Sequence, residues 1–389
     1  MPESRAPAAE GLSAEDLTLL RRTVRDFVRT RLQPLEMEID AADDVDPQVL
    51  AQLRREIVKL GLYGFNMPAE LGGPGLSVNA QVVIAEEVTQ TIVALTEVFG
   101  HLPLSLSLCN EEQRSRLLPG IMSGEKTVTY ALTEPDAGSD LGAIKTRAVR
   151  LDGGWRIDGS KQFISNVETS DYVIVLAATD PSAPLKGRLG TFIVERGNPG
   201  IRGLTRFRKM GWRGYHLNGF SLDGCIVPDR DVLGAPTEGF LAMMKSINHD
   251  RLFAACRCLG LAVRAHAMSL DWARERVTFG APLAQHQAIQ LMIADNDTEI
   301  AAARALIKAA ADLGDAGSPE FRIAASRAKL YASEMVGRVT DRVLQIFGGM
   351  GYMCELPVER FYRDARAFRI GEGTSEMQRL QIARHALAE

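Results

Sequence analysis

Apolar residues recur with the period of an α-helix through the first third of the chain. A capping-box pattern at Ser13–Asp16 precedes the first such stretch, and Pro34 is expected to end it near Leu35. A tail over residues 1–12, rich in Ala, Pro and Glu, is expected to be disordered. The apolar face of the first helix comprises Leu17, Leu20, Val24, Phe27 and Val28.

Further helical patterns follow and make residues 1–126 an all-α domain by prediction. Within it, His101 lies in an apolar setting, and we interpret it as a core or pocket-wall residue rather than a metal ligand. The predicted helices are a segment that follows Pro47 and the stretches Asn79–Phe99, Leu102–Leu108 and Glu111–Met122.

Short runs of branched and aromatic residues replace this pattern from Thr127 to about Leu233. Gly, Asp, Asn and Pro separate the runs, and this spacing is typical of a compact β-barrel or sandwich. We therefore predict a middle β domain over residues 127–236, with a solvated loop at Lys186–Arg188. The predicted strands include Thr127–Thr133, Ala148–Leu151, Trp155–Ile157, Tyr172–Ala178, Thr191–Val194 and Gly219–Leu222.

Helical periodicity returns from Gly239, in long stretches joined by short loops. This arrangement predicts a C-terminal four-helix bundle over residues 237–389. The chain as a whole is then an α+β multidomain protein, with its β domain between two helical ones. The predicted helices are Phe240–Ala273, Gln285–Leu313, Pro319–Phe347 and Ser375–Ala388.

The composition is ordinary for a globular protein of several domains: 389 residues, 46% hydrophobic and 24% charged. A net charge of −4 argues against nucleic-acid binding. The chain has no apolar run that would predict a membrane span, and its N-terminus resembles neither a secretion signal nor a transit peptide, so a cytoplasmic location is expected. The five cysteines are scattered in a way that fits neither a disulfide framework nor a zinc site, and no metal is expected.

A strand that opens into a loop is the first candidate for chemistry. Tyr130–Asp140 reads YALTEPDAGSD, in which Pro135 ends the strand and Gly138 permits close backbone approach. The resulting N–H donors and small hydroxyls suit a planar heteroaromatic ring and a neighbouring anion. Taken alone, this stretch is explained equally well as an ordinary strand-to-turn corner.

Two further motifs change this interpretation. Lys161–Asn166 reads KQFISN, and Gly371–Glu376 reads GEGTSE. Together with TEPDAGSD, and in this order, they resemble the acyl-CoA dehydrogenase family of flavoproteins, over nearly the whole chain. The resemblance implies FAD as the cofactor and an acyl thioester of coenzyme A, or of a related pantetheine carrier, as the substrate.

The resemblance also assigns the flavin ring to the boundary between the middle domain and the C-terminal bundle. Phe163 would stack near the ring and Ser165 would approach its N5 atom; they stand where the family usually has Trp and Thr. Without the resemblance, Phe163 would be interpreted as a core strand residue. The implied contacts from the middle domain are Tyr130, Leu132, Thr133, Gly138, Ser139, Phe163, Ile164 and Ser165.

The C-terminal region supplies the remaining implied cofactor contacts, some of which reach the FAD of a neighbouring subunit in the family. Arg276 and Thr278 suit a pyrophosphate. Alternatively, Arg276 is a helix-end cation and Gly348-Gly349 a helix stop. The implied contacts are Arg276, Thr278, Phe279, Gln287, Gln345, Gly348, Gly349, Thr374 and Glu376.

Four residues are implied as substrate contacts: Ser139, Asn248, Arg251 and Gly373. Asn248 and Arg251 are three residues apart and share a helix face. Arg251 could instead form a surface ion pair with its neighbour Asp250 or with another nearby carboxylate.

Glu372 is the implied catalytic base, which removes the α-proton while flavin N5 takes the β-hydride. Its neighbours Gly371 and Gly373 allow a tight loop, in which burial would raise the pKa of the carboxyl group. Gly371 stands where the family often has Tyr, which predicts a wider pocket. Asp250 on the long helix is the alternative base, but its side chain is one methylene shorter and Arg251 is expected to lower its pKa.

The resemblance implies an enzyme of fatty-acid and lipid metabolism that passes electrons to an electron-transfer flavoprotein and assembles as a homotetramer. Three alternatives remain: an oxidase that uses O₂, a dehydrogenase of acyl groups bound to a carrier protein, and a non-catalytic flavin or coenzyme A binder. The presence of Glu372 argues against the last of these.

Overall fold

The chain forms a helical N-terminal domain, a middle β-sheet domain and a C-terminal helical bundle in a computed structural model that describes residues 11–388. The side chains at positions 241, 242 and 245 are outside this description. The tail predicted over residues 1–12 also lies almost wholly outside the described residues. The order of helical and β regions is the one that the hydrophobic pattern predicts.

The N-terminal domain packs the apolar faces of short helices together. Its predicted capping box is confirmed: Ser13 Oγ accepts a hydrogen bond from Asp16 N, and the Asp16 carboxylate accepts one from Ser13 N. The helix predicted over Leu102–Leu108 is instead a 3₁₀ turn, Leu104–Leu108. The helices are α1 (Ala14–Phe27), α2 (Glu36–Ala42), α3 (Pro47–Lys59), α4 (Val78–Val88), α5 (Val93–Thr96) and α6 (Glu111–Met122).

Two predictions about helix ends in this domain are wrong. Pro34 does not stop the chain's helical course, because it lies at the start of the 3₁₀ turn Gln33–Leu35, where its missing N–H is not needed. The segment predicted as one helix over Asn79–Phe99 is broken after α4. There the Thr91 hydroxyl donates to the buried carboxylate of Glu36 at 2.7 Å, a long-range contact that the local pattern does not contain.

Seven strands form the sheet of the middle domain. β6 was not predicted, because nearly all of its side chains are exposed and it lacks apolar alternation. The predicted loop Lys186–Arg188 belongs to a short helix, α7 (Leu185–Arg188). The strands are β1 (Val128–Ala131), β2 (Arg147–Leu151), β3 (Gly154–Ser165), β4 (Tyr172–Ala178), β5 (Leu189–Glu195), β6 (Ile201–Arg206) and β7 (Leu217–Pro228).

The topology of this sheet brings two of the sequence motifs together. The strand order is β1-β4-β2-β3-β7-β6, β1 runs parallel to β4, and β5 pairs with β4 on the other side. The end of β1 also reaches β3, since the Thr129 hydroxyl donates to the Ser165 carbonyl at 2.7 Å. The TEPDAGSD loop and the KQFISN segment therefore lie side by side.

The C-terminal bundle is organised around α8, which is buried along residues 251–262. α10 packs against α8, α9, α12 and α13. α12 was not predicted; half of its residues are charged. Within residues 11–388, no helix combines the length and apolar character needed to cross a membrane. The elements are α8 (Gly239–Glu275), a hairpin of β8 (Val277–Thr278) and β9 (Ala281–Pro282), α9 (Gln287–Asp315), α10 (Phe321–Phe347), α11 (Gly349–Tyr352), α12 (Val358–Ala367) and α13 (Ser375–Ala386).

Candidate active site

A cavity of about 790 Å³ lies where the three parts of the chain meet. The middle domain contributes the end of β1 and the end of β3, and the bundle contributes α8 and the loop before α13. The N-terminal domain closes the remaining side. The residues that line the cavity include Tyr63, Glu97, His101, Tyr130, Leu132, Ser165, Asp250, Phe253, Arg257 and Glu372.

A buried ion pair anchors the loop after β1. Lys161 Nζ donates to Glu134 Oε1 at 2.8 Å and to the Leu132 carbonyl at 3.0 Å, and both charged side chains are almost fully buried. The Glu134 carboxylate also accepts from Lys145 N at 2.7 Å. Burial lowers the pKa of Lys161 to about 8, while Lys161 helps to hold the pKa of Glu134 below its usual value. The first and second motifs are thus tied together by a contact that neither of them predicts alone.

The end of β3 presents Phe163 to solvent. A β-bulge interrupts the pairing with β7 between Lys161 and Ile164, and Phe163 has a φ of 59°. The ring is 52% exposed, so the interpretation of Phe163 as a core residue is wrong. A non-glycine residue held in the left-handed region is strained, and such residues are enriched at functional sites. Ser165, two residues on, lines the cavity, whereas Ile164 points into the core.

The loop at Gly138-Ser139 is open. Both residues are exposed, and nothing lies within 4 Å of where a Cβ on Gly138 would be. Thr133 is half-buried at the start of the same loop, and its carbonyl accepts from Gln162 N at 2.9 Å. The structure therefore leaves room beside this loop for a ligand that extends along it.

Glu372 lies in a strained turn that faces the cavity. Its φ is 57° and that of Gly373 is 86°, so two successive residues have left-handed backbone. Lys329 Nζ donates to the Gly373 carbonyl at 2.6 Å, and Thr374 caps α13 by accepting from Met377 N. Glu376 is exposed in the first turn of α13.

The carboxyl group of Glu372 has an unpartnered atom. Oε2 is buried with no hydrogen-bond partner among the described residues, and Oε1 lies 3.8 Å from a guanidinium nitrogen of Arg257. Burial raises the pKa of Glu372, and the cations Arg257, Lys329 and Arg251 oppose this shift. An acid with a raised pKa and a free oxygen at a cavity wall is suited to general-base chemistry.

The pKa of Asp250 differs from the predicted one. Burial and the neighbouring charge of Glu372 raise the pKa of Asp250 to about 8, although Arg257 and Arg251 oppose this change. The expectation that Arg251 would lower this pKa is therefore wrong in net direction, because desolvation outweighs the attraction of the cation. Near pH 7 Asp250 is mainly protonated.

Arg251 is not a surface residue. It is 3% exposed, and its guanidinium donates to Asn248 Oδ1 at 3.2 Å and to Gln381 Oε1 at 3.0 Å. The alternative of a surface ion pair with Asp250 is therefore wrong. Asn248 and Arg251 contact each other, as the spacing predicts, but neither lines the cavity.

The cavity wall beside Glu372 holds an arginine, Arg257, that sequence reasoning missed. Arg257 lies two helical turns after Asp250 and is 8% exposed, with its guanidinium over the Phe253 ring and 3.5 Å from Glu97 Oε1. His101 stacks on the same ring at a centroid distance of 3.9 Å, and burial lowers its pKa to about 3. The prediction of a pocket-wall histidine is confirmed. The i, i+7 spacing from Asp250 was the available signal for Arg257.

The other predicted contacts form a second cluster at the opposite end of α8. Gln345, Gly348 and Gly349 are exposed at the end of α10, and stacking of Trp272 on Phe347 brings that end to the last turns of α8. Asp250 and Arg276 are 26 positions apart, or about 39 Å along the helix. This cluster is therefore well separated from the Asp250 end of the cavity. The members near the end of α8 are Arg276, Thr278, Phe279 and Gln287, of which Phe279 is fully exposed.

The residues at the cavity fit a flavin. Phe163 offers an exposed aromatic plate, Ser165 a hydroxyl at the cavity wall, and the loop at Gly138-Ser139 an open path with free space. The Tyr130 hydroxyl is buried without a hydrogen-bond partner. These features suit a flat ring with polar edges and an anionic arm.

Comparison with known proteins gives a consistent result. Three family models match consecutive parts of the chain: the acyl-CoA dehydrogenase N-terminal domain at residues 14–125, the middle domain at 129–225 and the C-terminal domain at 237–387. An acyl-CoA dehydrogenase of Bacillus subtilis (strain 168) is 35% identical over 381 residues, which are 96% of this chain and 98% of that protein.

Solved structures share the whole fold. A chain in a structure of the electron transferring flavoprotein of Acidaminococcus fermentans has 33% identity and a TM-score of 0.89, covering 98% of this chain and 100% of its own. The butyryl-CoA dehydrogenase of Megasphaera elsdenii has 31% identity and a TM-score of 0.88, with the same coverage of 98% and 100%.

Proposed function

The chain belongs to the acyl-CoA dehydrogenase family of oxidoreductases, and we propose that it converts an acyl-CoA thioester to the trans-2-enoyl thioester. Glu372 is the base in this proposal. The observation that carries it is the strained turn that places a carboxyl oxygen without a hydrogen-bond partner at the cavity wall, where burial raises the pKa. FAD, when bound, supplies the hydride acceptor.

The residues around Glu372 support this role. The thioester carbonyl acidifies the α-proton, and Glu372 Oε2 is free to receive it. Arg257, Lys329 and Arg251 oppose this rise in the pKa and so favour the carboxylate form of Glu372. The bond from Lys329 to the Gly373 carbonyl holds the turn in place.

An anaerobic titration with acyl-CoA thioesters tests the reaction. We expect the yellow colour of the flavin to bleach when a thioester of suitable acyl group is added. Peroxide release in air would favour an oxidase, and bleaching only by carrier-bound acyl groups would favour the carrier alternative. A yellow protein that no thioester bleaches would favour a non-catalytic binder.

We also propose that electrons leave through an electron-transfer flavoprotein. The match to a chain in the structure of such a protein from Acidaminococcus fermentans supports this partner. Reoxidation of the bleached enzyme by an electron-transfer flavoprotein, but not by air, is the expected result.

Ser165→Ala is expected to slow flavin reduction by about 2- to 13-fold, since one hydrogen bond to the flavin of about 0.5–1.5 kcal/mol is lost. Stopped-flow absorbance measures this rate, and FAD content and the visible flavin spectrum report whether the ring environment has changed. Ser160→Ala, at an exposed position on the same strand, is the matched control. An unchanged rate and spectrum in Ser165→Ala would mean that the hydroxyl points elsewhere.

The protein is proposed to assemble as a homo-oligomer, most simply a tetramer, that shares its FAD sites between subunits. The distance between the cavity and the cluster around Arg276 supports sharing. Apolar exposure at this end of the bundle supports an interface: Phe279 is fully exposed and Leu291 is 63% exposed. Ala301, Ala305 and Ala309 are exposed along α9, where small residues allow close helix packing.

Arg276→Ala is expected to weaken FAD affinity by roughly 10- to 150-fold, the range for losing a hydrogen bond to a charged group. It should also shift the oligomer towards smaller species. Sedimentation velocity and FAD retention measure the two effects. The control is Arg274→Ala, which removes an exposed cation from the same helix end. A wild-type monomer that holds FAD stoichiometrically would contradict the proposal.

A further inference from the structure

The guanidinium of Arg257 lies beside Glu372 in the cavity, and the proposed reaction gives it no contact with the substrate. It is 8% exposed, and within residues 11–388 no acceptor takes a hydrogen bond from it in the described structure. Its ion-pair distances, 3.5 Å to Glu97 and 3.8 Å to Glu372, come without hydrogen-bond geometry. The Nε of Arg257 is buried without a hydrogen-bond partner, and leaving a buried donor unpaired is costly.

The position of Arg257 places these donors where an acyl chain would run. Glu372 defines the location of the α-carbon, and Arg257 is next to it on the side of α8. The guanidinium carbon of Arg257 lies over the Phe253 ring, 4.6 Å from the ring centroid. A group a few carbons beyond the α-carbon therefore meets the guanidinium rather than an apolar wall.

The balance of charged side chains near Arg257 bears on whether an anion can bind there. Arg54 and Arg257 both act on Glu97, and all three side chains line the cavity. Arg54 and Arg257 face two carboxylates, Glu97 and Glu372, so the four groups are neutral together when both acids are ionised. Burial raises the pKa of Glu97, and protonation of Glu97 would leave one positive charge for the carboxylate of a substrate.

We propose that the acyl group of the substrate ends in a carboxylate, and that Arg257 binds this carboxylate. This inference rests on the proposed function and names its substrate class: short dicarboxylic acyl thioesters. Arg257 and the carboxylate can form paired, charge-assisted hydrogen bonds. The carboxylate is unchanged in the reaction; only the Cα–H and Cβ–H bonds break.

The experiment compares glutaryl-CoA with pentanoyl-CoA, which has the same five-carbon chain but a methyl end. With the wild-type holoenzyme, we expect kcat/KM to be roughly 10- to 150-fold higher for glutaryl-CoA. In Arg257→Met, which keeps the apolar stem, the ratio should fall to about one or below. Arg257→Lys should recover part of the preference, because it keeps the charge and loses the planar fork.

The ratio of the two substrates separates binding of the carboxylate from other effects. A change in folding, FAD content or the pKa of Glu372 alters both substrates alike and leaves the ratio unchanged. The proposal is overturned if wild type prefers pentanoyl-CoA, if the neutral amide of glutaryl-CoA serves as well as the acid, or if Arg257→Met keeps the wild-type ratio. If neither thioester, nor any other acyl-CoA, bleaches the flavin, the proposed function itself has failed.

Discussion

Glu372→Gln is expected to slow flavin reduction by about 10²- to 10⁴-fold, the usual contribution of a general base. Gln has nearly the same shape but cannot accept the α-proton. The turn should survive, because the left-handed backbone and the Lys329 bond to the Gly373 carbonyl do not involve the carboxyl group. Single-turnover reduction under anaerobic conditions measures the rate, while FAD content and acyl-CoA binding are expected to be retained.

Asp250→Asn is the matched control, because it makes the same acid-to-amide change in the same cavity. With a pKa of about 8, Asp250 is mainly protonated at pH 7, and Asn resembles its protonated form. Substantial activity should therefore remain. If Asp250→Asn abolished reduction while Glu372→Gln spared it, the helix acid would be the base.

The pH dependence separates the two acids further. Reduction by wild type should fall as the pH drops through the raised pKa of Glu372, because the protonated acid cannot accept a proton. The same acidic limb should persist in Asp250→Asn. If the acidic limb disappeared in Asp250→Asn, the limb would belong to Asp250, and the assignment of Glu372 as the base would be wrong.

Glu36→Gln is expected to lower the free energy of unfolding by about 3–5 kcal/mol, the cost of breaking a buried charge network. Glu36 is 2% exposed and lies in the N-terminal domain. Its carboxylate accepts from Arg360 at 2.7 Å and from Arg264, both of which belong to the C-terminal bundle. Gln would leave the buried guanidinium of Arg360 and the half-buried one of Arg264 without the charge of Glu36. Urea unfolding measures the change.

The control is Glu56→Gln, which breaks an exposed pair with Arg31. There the side chains are 30% and 44% exposed, so a loss of about 0–1 kcal/mol is expected. The cations around Glu36 hold its pKa below 4.5, despite burial. Its contribution is therefore present above that pH and is lost as pH falls through the depressed value, so the difference between wild type and Glu36→Gln should shrink in acid. Equal losses in Glu36→Gln and Glu56→Gln would show that burial of the network adds nothing.

Local pattern predicted much of the fold because it reflects local physics. Helices such as α6 and α10 and strands such as β4 carry clear apolar periodicity, and their predicted bounds lie close to the observed ones. Prediction failed where a distant contact decides the local structure. The break after α4 depends on Glu36, some fifty residues earlier. The short apolar stripe of α12, Val358, Phe361 and Ala365, is buried where the helix packs on α10.

The candidate site shows the same division. The motifs at Tyr130–Asp140, Lys161–Asn166 and Gly371–Glu376 were visible in the chain, and two of them meet at the end of the sheet. The ion pair of Lys161 with Glu134, which joins them, was not visible, because each residue alone resembles an ordinary polar position.

By itself the sequence determined the order of domains, the family and the residue types available for chemistry, since these depend on local periodicity and on motifs. Only the tertiary structure decided which charges are buried and what they face. The pKa of Asp250 is raised rather than lowered, because the desolvation of its carboxyl group outweighs the attraction of Arg251. Arg257 lines the cavity and lies beside Glu97 of the N-terminal domain, a neighbour that the local sequence of α8 does not contain. Burial sums contacts from all parts of the chain, so no local pattern contains it.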